Sequence, residues 1–462
     1  MAKTGMFVSL DIGTSSVKVV VSDFVDGQGT IIGVGNAKSS GVNKGLIVDI
    51  DKTVVAIKRA VAQAEEKAGI KINAVTVGLP ANMVEIEKAT GMIAVHSQSK
   101  EILDDDVRNV AAAALVRNIQ PEREIINIIP QSFTIDGLDG IQDPRGMRGV
   151  RLEMEGVVYT GPQTIIHNVR KAVERAGLAV QELVVTPLAL MEAILDDGEK
   201  DFGATVIDLG GGQTTTAVMH DKQFKFAHVN QAGGDFVTRD ISVVLNASNQ
   251  NAENLKINYG IAYSAMASQS EVFPVDVIGK VDPVNVDERY LSEIIEARYV
   301  EIFEESKEVL GRISALSLPG GIVLTGGAAS IPGVVELASE VFEVPVKIYV
   351  PNHIGIRNPA FANVIAISDY YANLNDIYHL AQAALTGRVS TQVKAASKVA
   401  QQQAPVQQVV QPQQPAQNIG AVDVATQQNY YAQAAQQYGD NEESKPSKVG
   451  TKLKGWANKL FD

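Results

Sequence analysis

The sequence has no cysteine, a single tryptophan and no long apolar run. Without cysteine there is no disulfide framework and no thiolate zinc site. A membrane-spanning helix needs about 20 consecutive apolar residues, and no stretch approaches that length. The opening segment, "MAKTGMFVSLDIG", runs into a strand-like pattern rather than a signal peptide. We therefore expect a soluble chain whose membrane contact, if any, is peripheral.

Basic residues are also scarce. The 462 residues include 40 Lys and Arg against 53 Asp and Glu, which gives a formal charge of −13. Such a chain is not expected to bind nucleic acid non-specifically, because phosphate contacts need clustered cations. The six histidines are scattered and are expected to be structural or on the surface. At 45% hydrophobic residues, the chain can form one large domain or several small ones.

The composition changes near residue 386. Before it, strand-like runs such as "ATVIDLG" alternate with helix-like runs such as "TIIHNVRKAVERAG", which predicts an α/β architecture. After it, glutamine, alanine and proline dominate and apolar periodicity disappears. Residues 386–444 are therefore predicted to be a disordered linker that spans roughly 40 Å between its ends.

Two glycine-rich stretches in distant parts of the chain resemble each other. "SLDIGTSSVKVVVSD" begins at Ser9 and "VIDLGGGQTTTAVMH" begins at Val206. Each is typical of a strand that ends in Asp, a Gly/Ser/Thr turn and a second strand, so we predict two related halves. Such turns offer backbone N–H groups and hydroxyls to a phosphate. An ordinary β-hairpin explains either stretch alone, but two copies with aligned acids favour an anion site.

The candidate phosphate-binding residues share these two stretches: Asp11, Gly13, Thr14, Ser15, Ser16, Lys18, Asp208, Gly210, Gly211, Gly212, Gln213, Thr214 and Thr215. Asp11 and Asp208 are also candidates to hold a hydrated Mg²⁺, which prefers a few carboxylates and several waters. A third stretch, "GGIVLTGGAASIPG", adds Gly326, Gly327 and Ala328, whose small size would let a ring or ribose lie against the backbone. A helix is expected to begin near Ser330 and Pro332, and an ordinary strand-to-helix turn is the alternative.

Together the three stretches resemble the two phosphate loops and the adenosine loop of the actin, Hsp70 and sugar-kinase ATPase superfamily. Further segments resemble the bacterial FtsA family in particular, over about residues 5–380. These are "GLIVDID", "GVRLEMEGVVYTGP", "FGATVIDLGGGQTT", "GGDFVTRDI", "LKINYG" and "VPNHIGIRNPAFANVIA".

The resemblance implies an actin-like duplicated ribonuclease-H-type fold with four subdomains. The implied bounds are 1–84 with 163–200 and 360–385 for 1A, 85–162 for 1C, 201–237 with 313–359 for 2A, and 238–312 for 2B. It also implies binding of ATP and Mg²⁺, with Gly233, Gly234 and Asp235 near the nucleotide. Glu253 and Lys256 are the implied purine or ribose contacts.

Turnover of ATP is expected to be slow or absent. Efficient members of this superfamily place a polar or acidic side chain near the γ-phosphate. The equivalent position should fall in "LVVTPLALMEA", where Thr186 and Pro187 precede an apolar helix and no base is evident. The sequence also lacks the P-loop, H-E-x-x-H and G-x-S-x-G patterns. No catalytic residue is assigned.

The chain ends in "KVGTKLKGWANKLFD", which holds the only tryptophan. On a helix over residues 445–462, one narrow face carries Val449, Leu453, Trp456 and Leu460, flanked by Phe461, while Lys452 and Lys459 lie beside it. An isolated helix this short is marginal in water. We predict that it lies in a membrane interface with its lysines toward anionic lipid. Docking on the chain's own folded domain or on a partner are the alternatives.

The FtsA resemblance implies filaments of this chain that tether the FtsZ ring to the cytoplasmic face of the membrane at the division septum, beside other division proteins. The FtsZ tail would dock on subdomain 2B, where Arg289, Arg298 and Lys307 are the candidate exposed cations; solvated helix-face ion pairs are the alternative. A small-molecule kinase of the same superfamily, a chaperone ATPase and a pilus or shape-determining actin homologue are the competing functions.

Overall fold

A computed structural model describes residues 4–116, 120–353 and 355–385. The predicted linker and tail helix, 386–462, lie outside the described residues. The described part is a mixture of helices and sheets, which confirms the α/β prediction. Among the described residues, no helix is both long and apolar enough to cross a membrane.

The first segment builds most of a five-stranded sheet and one helix. Its elements are β1 (Gly5–Ile12), β2 (Ser16–Val25), β3 (Gln28–Lys38), β4 (Val42–Asn43), β5 (Leu46–Ile47), α1 (Ile50–Ala68) and β6 (Ala74–Leu79). Helix α1 begins where the Asp49 side chain accepts a hydrogen bond from the Lys52 N–H. It ends at Gly69, which adopts a left-handed φ of 68°.

An inserted segment forms a separate antiparallel sheet. Its elements are β7 (Glu85–Ala94), α2 (Asp104–Ala114), β8 (Arg123–Ile135), β9 (Leu138–Ile141) and β10 (Arg151–Pro162), with strand order β7-β10-β8-β9. Helix α2 and the helical residues 376–385 contribute to the apolar core of this sheet. The Gln382 side chain accepts from the Ile128 N–H at 3.1 Å and donates to the Ile126 carbonyl at 3.0 Å, which covers part of the β8 edge.

The chain then returns to the first sheet. The elements are α3 (Gln163–Arg175), β11 (Ala179–Val185), α4 (Thr186–Ile194) and α5 (Asp197–Phe202). Strand β11 pairs in parallel with β6 and completes the order β11-β6-β1-β2-β3, the first sheet.

The remaining described elements include a second five-stranded sheet, a separate two-stranded hairpin and helices, the last of which returns to the first sheet. They are β12 (Ala204–Leu209), β13 (Thr214–His220), β14 (Gln223–Asn230), α6 (Gly234–Val244), α7 (Asn249–Tyr259), β15 (Val272–Val275), β16 (Val284–Asp287), α8 (Glu288–Arg312), β17 (Ile322–Thr325), α9 (Val334–Phe342), β18 (Val346–Ile348) and α10 (Ala362–Asn373). The second sheet has the order β14-β13-β12-β17-β18. The helix expected near Ser330 begins at Val334, after a 3₁₀ turn over Gly327–Ser330.

The two large sheets repeat one topology, which confirms the predicted duplication. In each, three antiparallel strands are followed by two parallel ones, as β3-β2-β1-β6-β11 and as β14-β13-β12-β17-β18. The hairpins β1–β2 and β12–β13, which carry the two glycine-rich stretches, occupy equivalent places. Helix α10 packs on the first sheet against β1, β2 and β6.

Candidate functional site

The first glycine-rich loop is the tight turn between β1 and β2. The Gly13 N–H donates to the Ser16 carbonyl at 3.1 Å, and a Cβ at Gly13 would lie 2.9 Å from that oxygen. The buried Lys18 extends along β2 and donates to the Ser16 hydroxyl at 2.6 Å. The loop therefore presents backbone and hydroxyl groups with a cation behind them, which is the chemistry of an anion site.

The second loop joins β12 to β13 and closes through a Gly210 N–H donation to the Gln213 carbonyl at 3.0 Å. It touches the first loop directly. A Cβ at Gly211 would lie 1.8 Å from the Ser15 hydroxyl oxygen, and one at Gly212 would lie 2.6 to 2.9 Å from three Thr14 side-chain atoms. Only glycine allows the two loops to approach this closely.

Helix α6 begins against the second loop. The Gly234 and Asp235 N–H groups donate to the Gly210 and Gly211 carbonyls at 2.9 and 2.8 Å. The Asp235 carboxylate in turn accepts from the Ser15 hydroxyl of the first loop at 3.2 Å. This bond connects the two halves of the duplicated fold beside the candidate phosphate site.

Asp11 and Asp208 lie near the ends of β1 and β12, at the base of the loops. Burial raises the pKa of Asp208 to about 6, while its hydrogen bond from Asn363 opposes the shift and the charge of Asp11 adds to it. Burial likewise raises the pKa of Asp11, against the nearby charge of Lys18. Two carboxylates that are costly to ionise here are suited to a bound cation, which would favour their charged forms.

A short hairpin, β4–β5, covers both loops. Its two turn residues, Lys44 and Gly45, have φ angles of 48° and 74°, as a tight type I′ turn requires. The Gly45 N–H donates to the Thr14 hydroxyl at 2.9 Å, and a Cβ at Gly45 would lie 2.3 Å from the Gln213 amide oxygen. Lys44 donates to the Gln231 amide oxygen, on the second half, at 3.2 Å. Sequence reasoning did not identify this hairpin as part of the site, although an Asn-Lys-Gly turn is a hairpin signal.

The third glycine-rich stretch borders the same space. Gly326 has a φ of 95°, and a Cβ there would lie 2.3 Å from Asp208 Oδ1. The Tyr299 hydroxyl donates to the Ala328 carbonyl at 2.7 Å, which connects helix α8 to the third glycine-rich stretch. The Lys256 ammonium is buried and contacts the Gly234 carbonyl, the Thr238 hydroxyl and the Glu253 carboxylate at 2.7 to 2.9 Å. Lys256 thus joins α6 to α7 besides facing the cavity.

These elements enclose a cavity of about 410 Å³, large enough for much of a nucleotide. All candidate nucleotide residues except Thr214 and Gly233 line it. The Thr214 side chain is fully buried and donates to the Ala232 carbonyl at 2.9 Å, so its predicted role as a hydroxyl donor to phosphate is wrong. Gly233 packs against the Gly210 and Gly211 carbonyls, where a Cβ would lie 2.5 and 2.6 Å away.

The cavity also includes residues that sequence reasoning missed. Asn363 of α10 donates from Nδ2 to Asp208 Oδ2 at 2.8 Å, and Pro80, Ile257 and Pro332 add apolar walls. Asn363 lies in the family-like segment "VPNHIGIRNPAFANVIA", but nothing in that segment indicates that its partner is Asp208, which is far away in the chain. Thr186 and Pro187 line the cavity as expected, at the start of the apolar helix α4.

The three basic candidates of α8 are all paired within the protein. Arg298 was expected to be exposed, which is wrong: its side chain is 15% exposed and forks onto Asp240 at 2.6 and 3.0 Å. Lys307 donates to the Val341 carbonyl at 2.7 Å and pairs with Glu343 at 2.6 Å. The Arg289 side chain pairs at the surface with Glu293 at 3.7 Å.

Two protein-family models match the chain: "Cell division protein FtsA" over residues 205–366 and "SHS2 domain inserted in FTSA" over residues 81–160. A cell division protein FtsA of Enterococcus faecalis is 62% identical over the full length of both chains. This similarity decides against the kinase, chaperone, pilus and shape-determining alternatives.

Solved structures support the fold. A PilM–PilN type IV pilus biogenesis complex matches with a TM-score of 0.55 at 16% identity, over 80% of this chain and 99% of that one. MreB5 of Spiroplasma citri bound to ADP matches with a TM-score of 0.51 at 14% identity, over 80% and 96%. Together with the duplicated sheets, these likenesses confirm the actin-like fold. The chain belongs to the FtsA family of actin-like cell division proteins.

Proposed function

We propose that the cavity binds ATP together with Mg²⁺. The observation that carries this proposal is the contact between two glycine loops, with Asp11 and Asp208 behind them. The similar MreB5 structure is bound to ADP, which agrees with the proposal. Among the described residues no group of three acidic or histidine side chains could hold a metal ion. Most ligands of a Mg²⁺ here would therefore be water molecules and phosphate oxygens of the nucleotide. Asp11 and Asp208 would hold the ion through those waters.

Glycine 212 offers a sharp test of nucleotide binding. A Gly212→Ala methyl would collide with Thr14 atoms on the opposite loop, including its Cβ, which no rotamer change removes. We expect ATP affinity to fall at least about tenfold in a titration with a fluorescent ATP analogue, because a displacement of about 1 Å at such a site is costly. Gly311→Ala, in α8 with its nearest neighbour 4.0 Å away, is the matched control and should bind as wild type does. Unchanged affinity in Gly212→Ala would contradict the assignment.

We propose that hydrolysis is slow. Of the acidic residues that line the cavity, Asp235 accepts from Ser15 and Glu253 pairs with Lys256, while Asp11 and Asp208 face the proposed metal. None sits on α4, where an attacking water would be oriented. Phosphate release by the purified protein should remain far below about 1 s⁻¹, the low end of typical enzyme turnover. Fast steady-state release would overturn this part of the proposal.

We propose four subdomains with the bounds given above. The inserted sheet over residues 85–162 supports subdomain 1C, and the hairpin β15–β16 with helices α6 to α8 supports 2B over 238–312. Filaments of this chain would bring many copies together, and other division proteins would join them at the septum. Electron microscopy of the purified protein with ATP and Mg²⁺ tests assembly, and an absence of polymers on lipid and in solution would contradict it.

We propose that residues 445–462 attach these filaments peripherally to the cytoplasmic face of the cell membrane. The proposal rests on the apolar face of Val449, Leu453, Trp456 and Leu460 and on the adjacent lysines. Trp456→Glu should abolish co-sedimentation with anionic vesicles, while Tyr438→Glu in the linker should not. ATP should increase pelleting of the wild type, because polymers bind through many weak tails at once. If all three proteins stay in the supernatant, the tail has another partner.

We propose that the acidic C-terminal tail of FtsZ docks on the 2B surface near Arg289. Because surface ion pairs contribute little, Arg289 can exchange Glu293 for a partner carboxylate. Arg289→Glu should weaken binding of an FtsZ tail peptide in fluorescence anisotropy. Arg312→Glu, on the same helix and similarly paired with Glu308, is the control. Equal binding by both variants would place the FtsZ contact elsewhere.

A further inference from the structure

One hydrogen bond crosses the base of the cavity between the two halves. Asn363 lies on α10, which packs on the first sheet and is tied to β1 by a Ser9 hydroxyl donation to the Val364 carbonyl at 2.7 Å. Its partner, Asp208, lies next to the last residue of strand β12 of the second sheet. The Asn363 Nδ2 to Asp208 Oδ2 distance is 2.8 Å. Asn363 of the first half thus donates a hydrogen bond to the Asp208 carboxylate of the second half.

The Asp208 carboxylate is held from two sides. Its Oδ2 accepts from Asn363, and its Oδ1 lies over Gly326, where a Cβ would be only 2.3 Å away. The bare backbone of Gly326 leaves room for this orientation, and the Asn363 amide selects it. Because an ionised carboxylate accepts hydrogen bonds and cannot donate them, the amide must turn its NH₂ toward Asp208.

That choice leaves the Asn363 Oδ1 buried with no hydrogen-bond partner among the residues that the structure describes. A buried acceptor without a partner is uncommon in folded proteins and calls for an explanation. The Asn363 side chain lines the cavity next to Asp208, so the amide is part of the cavity wall. The amide is thus arranged to donate to the Asp208 carboxylate, while its Oδ1 points into a buried position with no donor from the described part of the chain.

We propose that Asn363 is a positioning residue for metal-bound nucleotide: it orients Asp208 toward the waters of Mg²⁺ from the opposite half of the fold. This inference rests on the proposed binding of ATP and Mg²⁺. Removing a group that orients a metal-facing carboxylate typically lowers metal affinity about 10- to 100-fold. Asn363 should therefore affect nucleotide binding only when the metal is present.

The test measures ATP affinity by calorimetric titration, once with Mg²⁺ and once with EDTA, in wild type and Asn363→Leu. Leucine keeps a similar size but has no amide. We expect Asn363→Leu to bind ATP about tenfold more weakly than wild type with Mg²⁺ and equally well in EDTA. Asn373→Leu is the matched control: Asn373 also lies on α10 and also donates one hydrogen bond, to the Asp369 carbonyl at 2.9 Å, but it does not line this cavity. If Asn363→Leu does not fold, Asn363→Ala takes its place.

Binding of Mn²⁺ in the presence of ADP, followed by electron paramagnetic resonance, gives a second readout that does not depend on ATP. The inference is overturned if Asn363→Leu keeps the wild-type response to Mg²⁺. It is equally overturned if affinity falls by the same factor in EDTA, because the bond would then only hold the cleft together. A wild type that binds no ATP under either condition would instead refute the proposed nucleotide site.

Discussion

Replacing Asp208 with asparagine should stabilise the nucleotide-free protein at neutral pH. Burial raises the pKa of this carboxyl from 3.8 to about 6. Between those pH values the folded state holds a proton that the unfolded chain has released, so the free energy of unfolding falls as pH rises. Above pH 6 the free energy of unfolding carries the full cost of ionising the buried Asp208 carboxyl. A gap of about two pKa units corresponds to about 3 kcal/mol. This figure is an upper limit, because the side chain retains some exposure to the open cavity.

Urea unfolding in EDTA at a series of pH values from 4.5 to 8 would measure this effect. The Asp208→Asn variant should gain stability over wild type as pH rises toward 6, and the gain should then level off. The difference between the two proteins is the relevant quantity, because burial also raises the pKa of Asp11 and that of Asp369, the latter to about 6. Asp282→Asn, at an exposed site, controls for loss of a surface charge. The reasoning fails if Asp208→Asn is less stable than wild type at pH 7.

Three further changes test other parts of the structure. Arg298→Ala should lower the free energy of unfolding by about 3 to 5 kcal/mol, because the Asp240 side chain is only 13% exposed and would lose its guanidinium partner. In a double-mutant cycle, adding Asp240→Ala should restore much of that loss. Gly35→Ala should prevent α1 from packing on β3, because its Cβ would lie 1.7 Å from the Ala60 carbonyl oxygen; loss of the cooperative unfolding transition in circular dichroism checks this. Lys44→Ala should leave stability within about 0.5 kcal/mol of wild type but speed nucleotide release in stopped-flow fluorescence, since a hairpin contact to the second half is lost.

The duplicated sheets were predictable because their signals are local. An apolar strand, an Asp near its end and a glycine turn are adjacent in the chain, and two such sets imply two similar hairpins. The error at Thr214 was avoidable. Side chains alternate across a strand, and residues opposite each other in an antiparallel pair share a face. Thr215 pairs with Asp208 and faces the cavity, while Thr214 pairs with the buried Leu209.

The contacts that complete the site were not predictable in this way. Asn363 meets Asp208 because α10 returns to the first sheet, and Arg298 is covered because α6 brings Asp240 to it. Both depend on how distant elements pack. A helical pattern shows that α8 carries cations, but it does not show which of them another helix neutralises.

The polar contacts across the nucleotide cleft include Ser15 to Asp235, Lys44 to Gln231 and Asn363 to Asp208. Hydrogen bonds of this kind contribute about 1 kcal/mol each, so they bias the two halves toward one arrangement without fixing it. The same cleft contains two buried carboxylates that are unfavourable to ionise, and glycines that lower the stability of the free protein. A bound cation and phosphates would offset those costs only in the arrangement that the cross-cleft bonds select. We therefore expect one substitution to change both properties: Asp208→Asn should stabilise the nucleotide-free fold and should also weaken the response to ATP.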